Sequence, residues 1–234
     1  MVMHQARRYT AIVLFAFAIA TSAPLALWLI AGSASVLAEQ VGLVGDRLAV
    51  PVGWMGAVLV AVGYISYTLW SVPFVREHVT EISPLKALGV WVAITSSAIE
   101  EVIFRRMVMD ALADNGIGAV GQIGASALAF GVAHGAWVLL GREWAIAIPV
   151  VVSTTCLGAG LAAVYLLSDR ALLPAVIAHI AINLVIEPWL ILSAVTRDWN
   201  PQHAKRFPPP QAPSGCSPES LTNGTGLDSN TSSN

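Results

Sequence analysis

Residues 97–106 read Ser97-Ala98-Ile99-Glu100-Glu101-Val102-Ile103-Phe104-Arg105-Arg106, inside one of the most apolar stretches of the chain. A charged side chain at bilayer depth costs about 2.5–3.5 kcal/mol on insertion scales. Two adjacent carboxylates in such a place therefore ask for a function. On a helix, Glu101 and Arg105 stand one turn apart and can pair. Glu100 is rotated by about 100° from its neighbour and can point elsewhere, into a bundle. A salt-bridge cluster at a helix end explains one acid with one arginine, but it leaves the second acid without a purpose.

The surroundings of this stretch set the fold class. Of 234 residues, 56% are hydrophobic and 11% charged, and the mean hydropathy is +0.71. Soluble domains carry roughly 25% charge. Apolar segments run over 10–31, 53–73, 85–104, 116–138, 144–167 and 172–195. Each is near the length of about 20 residues that a helical span needs, and open strands cannot satisfy their backbone in lipid. The reading is an all-α, polytopic membrane helical bundle of about six transmembrane helices, multi-pass in a lipid bilayer. Its location would be the plasma membrane if the host is bacterial. Residues 1–84 hold two N-terminal spans and their loops, 85–195 the chemistry-bearing core, and 196–234 a tail rich in Pro, Ser, Asn and Gly that reads as disordered.

Smaller features refine this picture. Arg7 and Arg8 resemble the basic flank of a signal sequence, but the apolar run to Ile30 is long enough to be an uncleaved span. The third segment continues to about Ala113, where Asp114-Asn115-Gly116 makes a helix stop. Pro24, Pro149 and Pro174 kink or start their helices. The Gly- and Ala-rich fourth segment suits close helix packing and reads as central to the bundle. Trp28, Trp54, Trp70, Trp137, Trp144 and Trp189 fall near segment ends, as interfacial tryptophans do. Six spans would put Arg7, Arg8, Arg76, Lys86, Arg142, Arg197, Lys205 and Arg206 on one side, which the positive-inside tendency makes cytoplasmic, with Arg47, Arg105, Arg106 and Arg170 on the other. Cys156 and Cys216 lie in unlike environments and form no metal-type cluster. A net charge of −2 gives no reason to expect nucleic acid as a partner.

Polar residues in two other apolar segments complete the chemistry. His134 follows Phe130 by one turn in Phe130-Gly131-Val132-Ala133-His134, and His179 precedes Asn183 by one turn in Ala178-His179-Ile180-Ala181-Ile182-Asn183. A lone histidine on an apolar helix is usually a packing residue. Two of them on separate spans, with a carboxylate pair on a third, favour convergence, because polar groups in spans face the bundle interior. Glu, His, His and Asn can activate a water and hold an oxyanion. They can also ligate zinc with an open position, through Glu100, His134 and His179. Glu187, one turn beyond Asn183, is either a supporting acid or an interfacial residue, and the interface is favoured. Ser96, Ser97, Thr154 and Thr155 are expected to bond helix backbones.

Three motifs now stand in order: Glu100-Glu101-x-x-x-Arg105, Phe130-x-x-x-His134 and His179-x-x-x-Asn183. With them, residues 85–195 resemble the CPBP intramembrane proteases, the family of the CAAX prenyl endopeptidases and of bacterial proteins linked to bacteriocin self-immunity. The resemblance implies an intramembrane endopeptidase acting on membrane-bound, lipidated or CAAX-type peptides or proteins. Glu100 with His134 would activate water, His179 and Asn183 would stabilise the oxyanion, and Arg105 would hold the glutamates, chiefly through Glu101. The family is often labelled as metalloproteases, and a metal-free glutamate scheme is also argued for it. The absence of HExxH from this chain leans the reading to the metal-free scheme, with zinc open. Two alternatives stand beside it. One is a non-catalytic membrane immunity or scaffold protein. The other is a rhomboid-like serine protease using Ser126 in Gly124-Ala125-Ser126-Ala127, which leaves Glu100 and Glu101 unexplained.

Overall fold

The computed structural model describes residues 3–41, 50–137, 144 and 147–198. Among these residues the secondary structure is helical throughout. Helix α1 spans Met3–Ala31 and α2 Ala34–Val41. They are followed by α3 (Pro51–Ser71), α4 (Pro73–His78) and α5 (Pro84–Glu101). A π-helical stretch, Val102–Met109, then runs into α6, Asp110–Asp114. Helix α7 is Ala119–His134, α8 is Ala147–Leu167, α9 is Leu173–Ile186 and α10 is Trp189–Thr196. The expected tail, with Cys216, Lys205 and Arg206, lies outside the described residues, as do Arg47 and Arg142.

Local chemistry explains where these helices begin and end. Proline occupies the first turn of α3, α4, α5 and α9, where its missing N–H is not needed. Ser83 caps α5 by accepting from the Lys86 amide. The expected stop after Ala113 is present: α6 ends at Asp114 and Gly116 takes φ +78, a conformation that glycine adopts without penalty. Pro24 lies inside α1 and Pro149 in the first turn of α8.

Among the described residues, four helical stretches are long and apolar enough to cross a membrane: Met3–Ala31, Pro51–Ser71, Pro84–Asp114 and Ala147–Leu167. Helices α9 and α10 form a fifth candidate, bent by 49°. Of the six expected segments, the fourth therefore differs. Helix α7 has 16 residues, a rise of roughly 24 Å, less than a hydrocarbon core of about 30 Å.

The packing centre also differs from the expectation. Helix α9 is the buried one, in contact with α3, α5 and α8. Its buried residues include Ala175, Ala178, His179, Ile182 and Asn183. Helix α7 is peripheral. It presses one face, with Ser126, Ala127, Phe130 and Gly131, against its neighbours, while Val120, Leu128 and Val132 remain exposed. The small residues of the fourth segment serve one close crossing, α7 on α8. A Cβ on Gly131 would meet Thr155 Oγ1 and the Val151 carbonyl, and one on Gly158 would come to 3.1 Å from Ala127 Cα. Close backbone approach of this kind drives association in lipid, where the hydrophobic effect is absent.

Polar ties fasten the remaining elements. Helices α1 and α5 share a buried Thr21–Thr95 hydrogen bond of 2.9 Å, and Trp91 Nε1 donates to Ser22 at 3.1 Å. Arg7 forms a bidentate pair with Glu81 at 2.6 and 2.9 Å, which lowers the Glu81 carboxyl below its ordinary value of 4.5. Asp110 gathers Arg170 at 2.6 Å, the Tyr165 hydroxyl at 3.0 Å and Arg106 at 3.5 Å. Arg170 reaches on to Gln122 at 2.7 Å. This cluster joins the end of the π-helical stretch to α7 and to the turn after α8. Trp189, read from sequence as interfacial, is fully buried, with the Arg7 guanidinium 5.8 Å from its ring.

Two stability predictions follow from these contacts. Gly131→Leu should cost about 1–3 kcal/mol through overpacking and lower the melting temperature in detergent. Gly124→Leu should leave it unchanged, because nothing lies within 4 Å of a Cβ at Gly124. The lowered Glu81 carboxyl makes its pairing stabilising above the ordinary value of 4.5, and that contribution is lost as pH falls through the folded value. The melting-temperature gap between wild type and Glu81→Gln should therefore be present at neutral pH and close on acidification.

Candidate functional site

The long helix Pro84–Asp114 carries both glutamates at the point where regular α-helix gives way to the π-helical stretch. Wider turns of this kind recur at functional sites. Here the Phe104 carbonyl accepts from Ser126 Oγ at 2.9 Å. Ser126 is wholly buried, and it does not line the cavity described below. This hydroxyl serves a helix crossing.

Glu101 and Arg105 are both inaccessible to solvent, with Arg105 Nε 3.0 Å from Glu101 Oε2. Neither of these two atoms has a well-angled hydrogen bond, so the attraction is Coulombic. Arg105 also donates to the Gly158 carbonyl at 3.1 Å, and its guanidinium carbon lies 4.9 Å from the centre of the Phe130 ring. The other oxygen of Glu101 accepts from His179 Nδ1 at 2.8 Å. Sequence reasoning paired Glu101 with Arg105 alone. The structure adds a second partner, so that one carboxylate links the arginine to an imidazole on α9.

Glu100 points into the bundle. Its Oε2 lies 3.8 Å from His134 Nε2 and 3.9 Å from His179 Nε2, and it has no hydrogen-bond partner. The Nδ1 of His134 is 2.8 Å from the Phe130 carbonyl. A carbonyl and a carboxylate can only accept, so both imidazoles carry hydrogen on Nδ1 and aim Nε2 at Glu100. Phe130 steadies both rings, its own ring lying 4.3 Å from that of His134 and 5.6 Å from that of His179. Asn183 Nδ2 donates to Ser97 Oγ at 3.2 Å. Ser97, expected to bond a helix backbone, instead orients the asparagine. Thr154 does bond the Val150 carbonyl, at 2.7 Å.

These groups border a cavity of about 230 Å³. Its polar side carries Glu100, His134, His179, Asn183, Ser96 and Glu187, and its apolar wall includes Phe17, Tyr64, Val150, Leu157, Ile186 and Leu190. Glu187 departs from the expectation of an interfacial residue: it is buried and faces this space. Its sequence signal was the continuation of the four-residue period His179, Asn183, Glu187 beyond the motif.

The donor set does not match a preformed zinc site. Two ligands of a tetrahedral zinc stand about 3.3–3.5 Å apart, given bonds of about 2.0–2.2 Å. Glu100 Oε2 is 3.8 and 3.9 Å from the two imidazole nitrogens. Among the described residues no group of three His, Cys, Asp or Glu side chains has metal-holding spacing.

Comparison with known proteins bears on this region alone. No curated protein and no solved structure gives a significant match to the chain. Residues 83–185 match the family model described as type II CAAX prenyl endopeptidase Rce1-like. The matched segment runs from Ser83, the cap of α5, to Val185, the penultimate residue of α9, and it contains Glu100, Glu101, Arg105, Phe130, His134, His179 and Asn183. That match makes this segment of the apolar, all-helical chain similar to the CAAX prenyl endopeptidases.

Proposed function

We propose that the chain hydrolyses peptide bonds at membrane depth, in membrane-associated or lipidated CAAX-type substrates, with Glu100 as general base. One observation carries the reading. A buried carboxylate oxygen without a hydrogen-bond partner faces two imidazole nitrogens across 3.8 and 3.9 Å. His134, with its hydrogen on Nδ1, offers a lone pair at Nε2, so two acceptors converge there and need a proton donor between them. One water fits that need, since hydrogen bonds of about 2.8 Å to Glu100 and His134 span such a gap.

The steps follow from the geometry. The water oxygen bonds to the scissile carbonyl carbon while its proton passes to Glu100 Oε2, with His134 holding the water in line. Negative charge develops on the carbonyl oxygen. Protonated His179, backed by Glu101, presents Nε2–H to that charge, and the Asn183 amide supplies a further N–H. The carbon–nitrogen bond then breaks and Glu100 returns the proton to the departing nitrogen. Arg105 and Glu101 are positioning residues, acting through His179. The apolar wall of the cavity suits a lipid or apolar side chain next to the scissile bond. The spacing of the donors favours the metal-free scheme, and no step is routed through zinc.

The test is cleavage in proteoliposomes of an S-farnesylated CAAX-type peptide and of a transmembrane peptide. Glu100→Gln and His134→Ala should each lower kcat by about 10²–10⁴-fold with an unchanged melting temperature. Ser126→Ala should retain kcat. Treatment with a chelator should leave the rate as it was. Undiminished cleavage by Glu100→Gln would favour the non-catalytic scaffold reading of this cavity, with the activity belonging to a contaminant. Loss of the rate on chelation and its return with zinc would reinstate a metal mechanism.

A further inference from the structure

The protease reading leaves one buried carboxylate unused. Glu187 is 8% exposed, its Oε2 has no hydrogen-bond partner, and it lines the same cavity as Glu100, His134, His179 and Asn183. Its position is fixed from two directions. The Glu187 amide donates to the Asn183 carbonyl at 2.9 Å and closes α9. Lys86 Nζ donates to the carbonyls of Leu184 and Glu187, at 2.5 and 2.8 Å. A Cβ on Gly89 would come to 2.9 Å from Pro188 Cδ and 3.1 Å from the Glu187 carbonyl carbon. Lys86 and Gly89 are one turn apart on α5, the helix that also carries Glu100. The turn bearing Glu187 is thus held against the helix of the proposed general base.

We propose that Glu187 is a substrate-contacting, specificity-determining residue, whose carboxylate accepts a hydrogen bond from a donor on the substrate close to the scissile bond. The inference rests on the protease reading above. Its physical ground is satisfaction of a buried acceptor. A substrate entering the cavity displaces solvent from Glu187, and a buried carboxylate without a donor is strongly disfavoured. A substrate with an amide or ammonium group at the matching position supplies the donor, whereas one with a carboxylate there adds repulsion. Four helical residues from Asn183 to Glu187 rise by about 6 Å, and an extended peptide advances about 3.3–3.6 Å per residue. The selected position therefore lies about two residues from the scissile carbonyl.

The experiment uses the full-length protein in proteoliposomes and a panel of S-farnesylated peptides. Each position near the cleaved bond carries in turn Lys, Gln, Leu or Glu. Wild type should rank Lys and Gln above Leu, and Leu above Glu, at one position, by about tenfold in kcat/KM and chiefly through KM. Glu187→Leu should abolish this ranking. Glu187→Gln should keep the preference for Gln over Leu and lose the discrimination against Glu. An unchanged ranking in Glu187→Leu would overturn the inference while leaving the protease reading intact, and so would an equal fall of kcat for every peptide. A wild type that cleaves no peptide in the panel would remove the protease reading and this inference together.

Discussion

The structure depends on how one buried carboxylate is satisfied. Glu101 has no contact with solvent, and it is held between Arg105, 3.0 Å away on its own helix, and His179, 2.8 Å away on α9. Removing one partner from a buried ionic arrangement costs about 3–5 kcal/mol, because the remaining charge is stranded. In lipid there is no water to relieve it. The pairing of α5 with α9 is therefore a requirement of charge neutralisation as well as of packing, and it fixes the imidazole whose far nitrogen faces Glu100. The two adjacent glutamates have separate tasks. One neutralises and orients, and the other faces the cavity.

The helix that carries them is adapted to the same end. Arg105 lies within the π-helical stretch and comes within 3.0 Å of Glu101 at the end of α5, and the Phe104 carbonyl of the same stretch accepts from Ser126 on α7. This contact and Phe130 hold α7 in place. The aromatic ring touches Phe104 on one side and both imidazoles on another. Residues of all three motifs thus meet around one ring. The glycine-mediated crossing of α7 on α8 keeps His134 within reach of Glu100 although α7 is short and peripheral.

Much of this was legible in the sequence because polar groups are expensive in an apolar setting. Glu100, Glu101, His134, His179 and Asn183 stand out against aliphatic neighbours, and their four-residue spacing assigns faces without any coordinates. The rest was hidden for definable reasons. The π-helical stretch leaves no mark on hydropathy, since its residues are as apolar as those of an α-helix. The peripheral place of α7 was concealed because small residues signal one close contact and say nothing of the opposite face. Ser97 resembled any helix serine, and only its position across from Asn183 reveals its partner. Trp189 resembled an interfacial anchor, but the break between α9 and α10 turns it inward. Glu187 was visible as the next step of the His179–Asn183 period, and its burial depends on Lys86 and Gly89, about a hundred residues earlier.

The central claim is that a water molecule, and no protein nucleophile, attacks the substrate carbonyl beside Glu100. Product analysis by mass spectrometry in oxygen-18 water containing hydroxylamine tests it most directly. Direct attack predicts that the new carboxylate carries one solvent oxygen and that no hydroxamate forms. A hydroxamate product would reveal an acyl-enzyme, place a side chain of the protein on the reaction path, and contradict the account.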